Sequence, residues 1–155
     1  MTQQPYRTWQ LADAVDVPAP DGSTVTPLGA LPGVASMARF ELAAGAVARA
    51  VSHATVQEIW HVVAGSGRLW RRQGDREEVN ALLVGITVSI PLGTAFQFRA
   101  DEGADALVIL AATVPSWPGT ETEARPEAGP WQAEGHDEDH RRDAQGPGPA
   151  RPVRP

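Results

Sequence analysis

Cysteine is absent from the 155 residues. That removes disulfides, thiolate metal sites, iron–sulfur clusters and cysteine nucleophiles before any motif is read. Lysine is absent as well, since all 13 basic residues are arginine. A Schiff base, a catalytic lysine and a Walker-type phosphate loop are therefore excluded. No apolar run approaches the length of a bilayer span, and the N-terminal MTQQPYRTWQ lacks a hydrophobic signal core, so a soluble cytoplasmic chain with no membrane partner is expected. Positive charge is in short supply too: 13 basic against 19 acidic residues give a net charge of −6, which argues against a nucleic-acid partner.

What is abundant is punctuation. Fifteen glycines and fourteen prolines disfavour a helical bundle and point to many turns. Residues 1–34 carry Pro18, Pro20, Pro27 and Pro32 among short apolar pieces, which predicts an extended lead-in with an edge strand and no helix. Residues 35–114 hold eight short runs rich in Val, Ile, Leu, Phe and Trp, from SMARFEL to ALVILAATV, separated mostly by Gly-containing breaks. That rhythm predicts an all-β antiparallel sandwich or barrel. From Pro115 to Pro155, 8 of 41 residues are Pro and 5 are Gly, and Val153 alone represents Leu, Ile, Val and Phe. Such a stretch cannot offset its ordering entropy by burial. Trp117 and Trp131 nevertheless predict that residues 115–132 strap across the folded body, with residues 133–155 a disordered tail.

Two glycine-and-proline frameworks inside the β region resemble the paired motifs of the cupin superfamily. The first reads Gly45, AVARA, Val51, Ser52, His53, ATVQ, Glu58, IWHVVA, Gly65. It keeps the spacing of Gly, five residues, His, one residue, His, three or four residues, Glu, six residues, Gly, with Val51 in place of the first His. The second reads Gly85, ITVSI, Pro91, Leu92, Gly93, TA, Phe96, QFR, Ala100, with Phe96 in place of its His and Ala100 in place of its Asn. The resemblance spans residues 45–100 and implies a small jelly-roll (cupin) barrel. In metal-binding members, two His and a Glu of the first motif and the His of the second hold a divalent ion in the barrel mouth. Carried over by position, only His53 and Glu58 survive here.

Strand alternation places Arg49, Val51 and His53 on one face, Glu58, Trp60 and Val62 on one, and Phe96 and Phe98 on one. By the register that the resemblance implies, these faces look into the barrel, and His61 looks away. The interior so described is apolar and aromatic, with one imidazole, one carboxylate and one guanidinium, as in a small-molecule pocket. Ligand-binding candidates are Arg49, Val51, Trp60, Phe96 and Phe98. Catalytic candidates are His53 as general acid or base and Glu58 as the group that tunes it. A transition metal needs three or four protein donors, so no metal cofactor is expected; any ion present would sit on His53 and Glu58. The tail sequence GHDEDH, with His136 and His140 four apart, has no apolar face to hold a helix and reads as a solvated charge run.

Three functions stay open. One is a metal-free barrel binding a small, partly apolar molecule. The second is a metal-independent isomerase, cyclase or lyase using His53, with a metal-dependent dioxygenase disfavoured. The last is a homodimeric interaction protein whose barrel is filled by side chains, with Ile59, His61 and Val63 on a face that needs covering.

Overall fold

Residues Gln57–Ala64 alternate strictly, with Glu58, Trp60 and Val62 buried and Gln57, Ile59, His61 and Val63 exposed. This two-residue period is that of a strand with one face on a core, and it repeats through the chain. In a computed structural model, which describes residues 2–103 and 105–133, eleven strands form two antiparallel sheets. In chain order they are β1 (Val17–Pro18), β2 (Thr24–Leu31), β3 (Ala35–Leu42), β4 (Val51–His53), β5 (Gln57–Ala64), β6 (Ser66–Gln73), β7 (Arg76–Leu83), β8 (Thr87–Ile90), β9 (Ala95–Ala100), β10 (Leu107–Val114) and β11 (Ala124–Pro126). One sheet runs β1-β2-β3-β10-β5-β8 and the other β11-β4-β9-β6-β7.

The eight runs read from the sequence between residues 35 and 114 are strands β3 to β10. The sheet does not begin at Ala35, however. Residues 24–31 form a full strand between β1 and β3, in register from Thr24↔Glu41 to Leu31↔Ala35 with an irregularity between Pro27 and Gly29. The bulge accommodates Pro27, which cannot donate to the ladder, and this is why a proline-bearing segment still enters the sheet. A single turn of 3-10 helix at Leu11–Asp13 precedes it.

Between the sheets lies an apolar core in which the Trp60 indole meets Phe40, Phe96 and Phe98 edge-to-face, with ring centroids 5.5, 5.5 and 5.0 Å away. The framework glycines serve the turns around it. Gly65 has φ 71°, and a Cβ there would fall 2.4 Å from the Ala106 carbonyl oxygen, so no side chain fits between β5 and β6.

Residues 115–132 are held at both ends. Ser116 Oγ donates to the carbonyls of Leu31 and Ala35, and the Trp117 amide donates to Ser36 Oγ. Further on, β11 pairs with β4, Ala124 opposite His53. Trp131 packs with Ala50, Trp70 and Ala95 under the Arg99 guanidinium. Gln97, buried on the outer side of β9, donates to the Ala48 and Trp131 carbonyls and accepts from the Trp131 amide. The strap thus covers the second face of β9, whose side chains are consequently buried on both sides. Of the tail expected to be disordered, residues 134–155 lie outside the described residues.

Glu123 fixes the strap to the turn after β4. Its carboxylate accepts from the Thr55 amide, the Thr55 hydroxyl and the Val56 amide at 2.8, 2.8 and 3.0 Å. Desolvation raises its pKa, but these three donors outweigh it and hold the carboxyl below its ordinary range. Glu123→Ala leaves the amides of exposed Thr55 and buried Val56 without their carboxylate partner, and should lower the unfolding free energy by about 2 kcal/mol in urea titration. An unchanged midpoint would show that the strap is not fastened there.

Candidate functional site

The mouth of the barrel opens into a cavity of about 850 Å³. β4 contributes Val51 and His53, β5 Glu58 and Trp60, β9 Phe96, and β10 Thr113. The strap adds Trp117, and the turn between β1 and β2 adds Asp21 and Ser23. Alternation on β4 and β5 aims His53 and Glu58 at one another, Nδ1 to Oε1 at 3.1 Å. The Trp60 indole N–H donates to the other oxygen of Glu58. The His53 ring stands edge-on to both Phe96 and Trp117, each with its centroid 5.2 Å away.

The His53–Glu58 contact is within ion-pair reach, yet Nδ1 is buried without a properly aligned hydrogen-bond partner. Burial holds the imidazole down to about 4, against the pull of the Glu123 carboxylate. Burial pushes Glu58 up to about 7; the Trp60 N–H opposes the rise and Asp21 adds to it. Near neutrality the pair is therefore a neutral imidazole beside a half-ionised carboxyl, not a salt bridge. Asp21 is also raised by burial, although the Ser23 hydroxyl and amide both donate to it and Arg49 lowers it further.

Two sequence-based site assignments are corrected. Arg49 is exposed and does not line the cavity; Nη1 rests on the Pro20 carbonyl at 3.4 Å. It precedes β4 in irregular chain whose amide bonds the Asp21 carbonyl, so alternation extrapolated back from Val51 does not apply. Phe98 shares the inward face with Phe96 but lies deeper, against Trp60, as core rather than lining. His53, Glu58, Val51, Trp60 and Phe96 do line the cavity. His61 faces outward, its Nδ1 2.7 Å from Thr87 Oγ1.

Asp21, Ser23, Phe40, Tyr6 and Trp9 also line the cavity and were not legible as site residues. Pro20-Asp21-Gly22-Ser23 does carry a local signal, an Asp that bonds its own backbone two residues on. That signal marks a turn, and only the pairing of β2 with β3 brings the turn to the barrel mouth.

The donors around His53 and Glu58 fit a metal poorly. Val51 and Phe96 are cross-strand partners on β4 and β9, so the two replaced positions form one hydrocarbon wall. Among the described residues no three His, Cys, Asp or Glu side chains converge as an ion would need.

No family model and no curated protein matches the sequence. The fold, however, matches solved structures. Streptomyces Pac13, a nucleoside dehydratase seen with uridine, aligns over 81% of this chain and 92% of its own, with a TM-score of 0.61 and 14% identity. Bacillus subtilis oxalate decarboxylase aligns over 81% of this chain and 33% of its own, with a TM-score of 0.66 and 14% identity. CapF, a capsular polysaccharide assembling protein of Staphylococcus aureus, aligns over 72% and 33%, with a TM-score of 0.59 and 16% identity. These are cupin-fold proteins, and this chain has the cupin fold. Among the described residues no helix is long and apolar enough to cross a membrane.

The pH dependence of stability isolates Glu58. Between its ordinary 4.5 and about 7, the folded chain keeps a proton that the unfolded chain has released, so Glu58 opposes folding increasingly as pH rises through that window. His53 acts in the other sense: between 6.5 and about 4 the unfolded chain binds a proton that the folded imidazole refuses, so stability falls with falling pH. The two effects offset one another in the unsubstituted chain. In Glu58→Gln only that of His53 is left, so the variant should gain stability relative to the unsubstituted chain from about pH 5 to about 7, by up to roughly 3 kcal/mol. A difference that does not change with pH in denaturant titrations would show that Glu58 titrates normally.

Proposed function

We propose that the chain binds a small, partly apolar molecule in the barrel mouth without a metal. The observation that carries this reading is the cavity itself. At about 850 Å³ it falls within the roughly 300–1,000 Å³ of small-molecule sites, and it combines aromatic walls with a few convergent polar groups. The open mouth supports this reading over that of a barrel filled throughout by side chains. The hydrocarbon at Val51 and Phe96 supports the metal-free part. Pairing of two copies through the outward face bearing Ile59 and Val63, which are 57% and 40% exposed, belongs to the same reading.

A second reading, acid–base catalysis, is favoured by Glu58. A carboxyl raised to about 7 can both give and take a proton at neutral pH, and a neutral imidazole beside it can accept one. Isomerisation, cyclisation and elimination need no more than this. The fold neighbours include a nucleoside dehydratase and an oxalate decarboxylase, and fold alone selects no reaction among them.

Because Trp60 and Trp117 line the cavity, their fluorescence reports occupancy. Uridine and a panel of small aromatic molecules should include at least one saturable quencher, and Trp117→Ala should weaken its binding about tenfold. No saturable quenching, or quenching indifferent to Trp117, would remove the binding reading. For catalysis, the bound molecule should take up solvent deuterium with the unsubstituted chain and not with Glu58→Gln.

The metal is tested separately. The purified, untagged chain should hold well under one equivalent of Fe, Mn, Zn or Ni, and Phe96→His should raise uptake by adding a third donor. A full equivalent that is lost in His53→Ala would overturn the metal-free reading.

A further inference from the structure

The polar end of the cavity gathers two carboxyls, Asp21 and Glu58, around the His53 imidazole. Glu58 spends one oxygen on the Trp60 N–H and turns the other toward His53, whose Nδ1 lies 3.1 Å away and is misaligned for a bond. His53 is 8% exposed, so that nitrogen is a buried polar atom without a partner. Asp21 takes both Ser23 bonds on Oδ1, at 2.9 and 2.6 Å, which leaves Oδ2 without a donor from Ser23. A buried polar atom without a partner is costly, and a group with several N–H bonds would satisfy His53 Nδ1 while reaching the two carboxylates beside it.

Charge points the same way. Among the described residues no arginine stands within ion-pair distance of either carboxyl. Arg49, which bears on Asp21 electrostatically, is bonded to the Pro20 carbonyl instead. Arg7 is the one arginine among the described lining residues, and its guanidinium is stacked over Trp9, 5.1 Å from the ring centroid. The walls present the rings of Phe40, Trp60, Phe96 and Trp117, whose faces carry negative potential and attract cations. The placement of Arg7 on Trp9 is that interaction, already made at the mouth. Among the described residues an anion would meet two carboxyls here, with Arg7 on the Trp9 ring as the one cation of the lining.

We propose that the cavity selects an organic cation, a small amine or ammonium with an aromatic or aliphatic body, its charged head toward Asp21 and Glu58 and its body against Phe96 and Trp117. The proposal rests on the reading of the cavity as a ligand site and adds the sign of the ligand's charge. The cation supplies a donor to His53 Nδ1 and further donors to the two carboxyls beyond those from Trp60 and Ser23. It also supplies the countercharge that burial has denied both acids.

Three molecules of one shape and different charge test it: phenethylamine, 2-phenylethanol and phenylacetate, titrated into the full-length chain at about pH 7.5 and fixed ionic strength, with tryptophan fluorescence and calorimetry as readouts. The amine should bind about tenfold tighter than the alcohol, and phenylacetate should give no saturable signal. Asp21→Asn should reduce amine affinity about tenfold and leave the alcohol unchanged. If that turn variant does not fold, Glu58→Gln, which keeps the shape of the carboxyl, gives the same comparison. Equal affinity for amine and alcohol, or tightest binding of phenylacetate, overturns the charge selectivity while leaving the binding reading standing. Failure of all three, with no saturable quencher in the wider panel, overturns both.

Discussion

Desolvation at the mouth of the barrel is the constraint on which the rest depends. His53 and Glu58 face one another from strands of opposite sheets, yet Val51, Phe96, Trp60 and Trp117 take away the water and the polar neighbours that would let both ionise. The result is two titrations pushed in opposite directions, an imidazole held to about 4 and a carboxyl to about 7. In a barrel with a full donor set these same two positions would face a cation. Here hydrocarbon occupies the adjoining positions, so burial raises both acids, Glu58 is only half-ionised near neutrality and the imidazole stays uncharged.

The strap makes this environment possible. Without residues 115–132 the outer face of β9 and the edge of β4 would be open to solvent, and the Trp117 ring would not stand against His53. The anchors at Ser116, Glu123, Gln97 and Trp131 tie the segment to both sheets. A region that composition alone marks as poor in apolar residues is held by specific hydrogen bonds and two large aromatic contacts instead of a core of its own. Strap and site are contiguous: Ala124, next to Glu123, pairs with His53 and lines the cavity.

Much of the fold was legible because strand alternation and turn glycines are local properties. The eight strands between residues 35 and 114, the residues that share a face and the place of Trp117 and Trp131 against the body follow from periods of two and from residue size, while the inward aim of His53 and Glu58 and the outward aim of His61 rest on the resemblance to the cupin motifs. Arg49 fails because alternation holds only inside a strand, and β4 begins at Val51. Phe98 fails because parity gives the face and not the depth. Thr24–Leu31 reads as no more than an edge strand of the lead-in because proline is confined to edges and bulges, and the bulge that tolerates Pro27 exists only once β3 is alongside.

Sequence by itself determined the β architecture, since it is written in residue identity and spacing, and set against the cupin motifs it also shows the glycine frame kept and two donor positions taken by hydrocarbon. Tertiary structure alone decided which groups share the cavity. Asp21 comes from a turn before β2, Trp117 from beyond β10 and Tyr6 and Trp9 from the N-terminal segment. No periodicity links positions so far apart in the chain. They meet because sheet pairing and the strap close around one opening, and because burial there, which no residue carries alone, sets the charge of the acids within it.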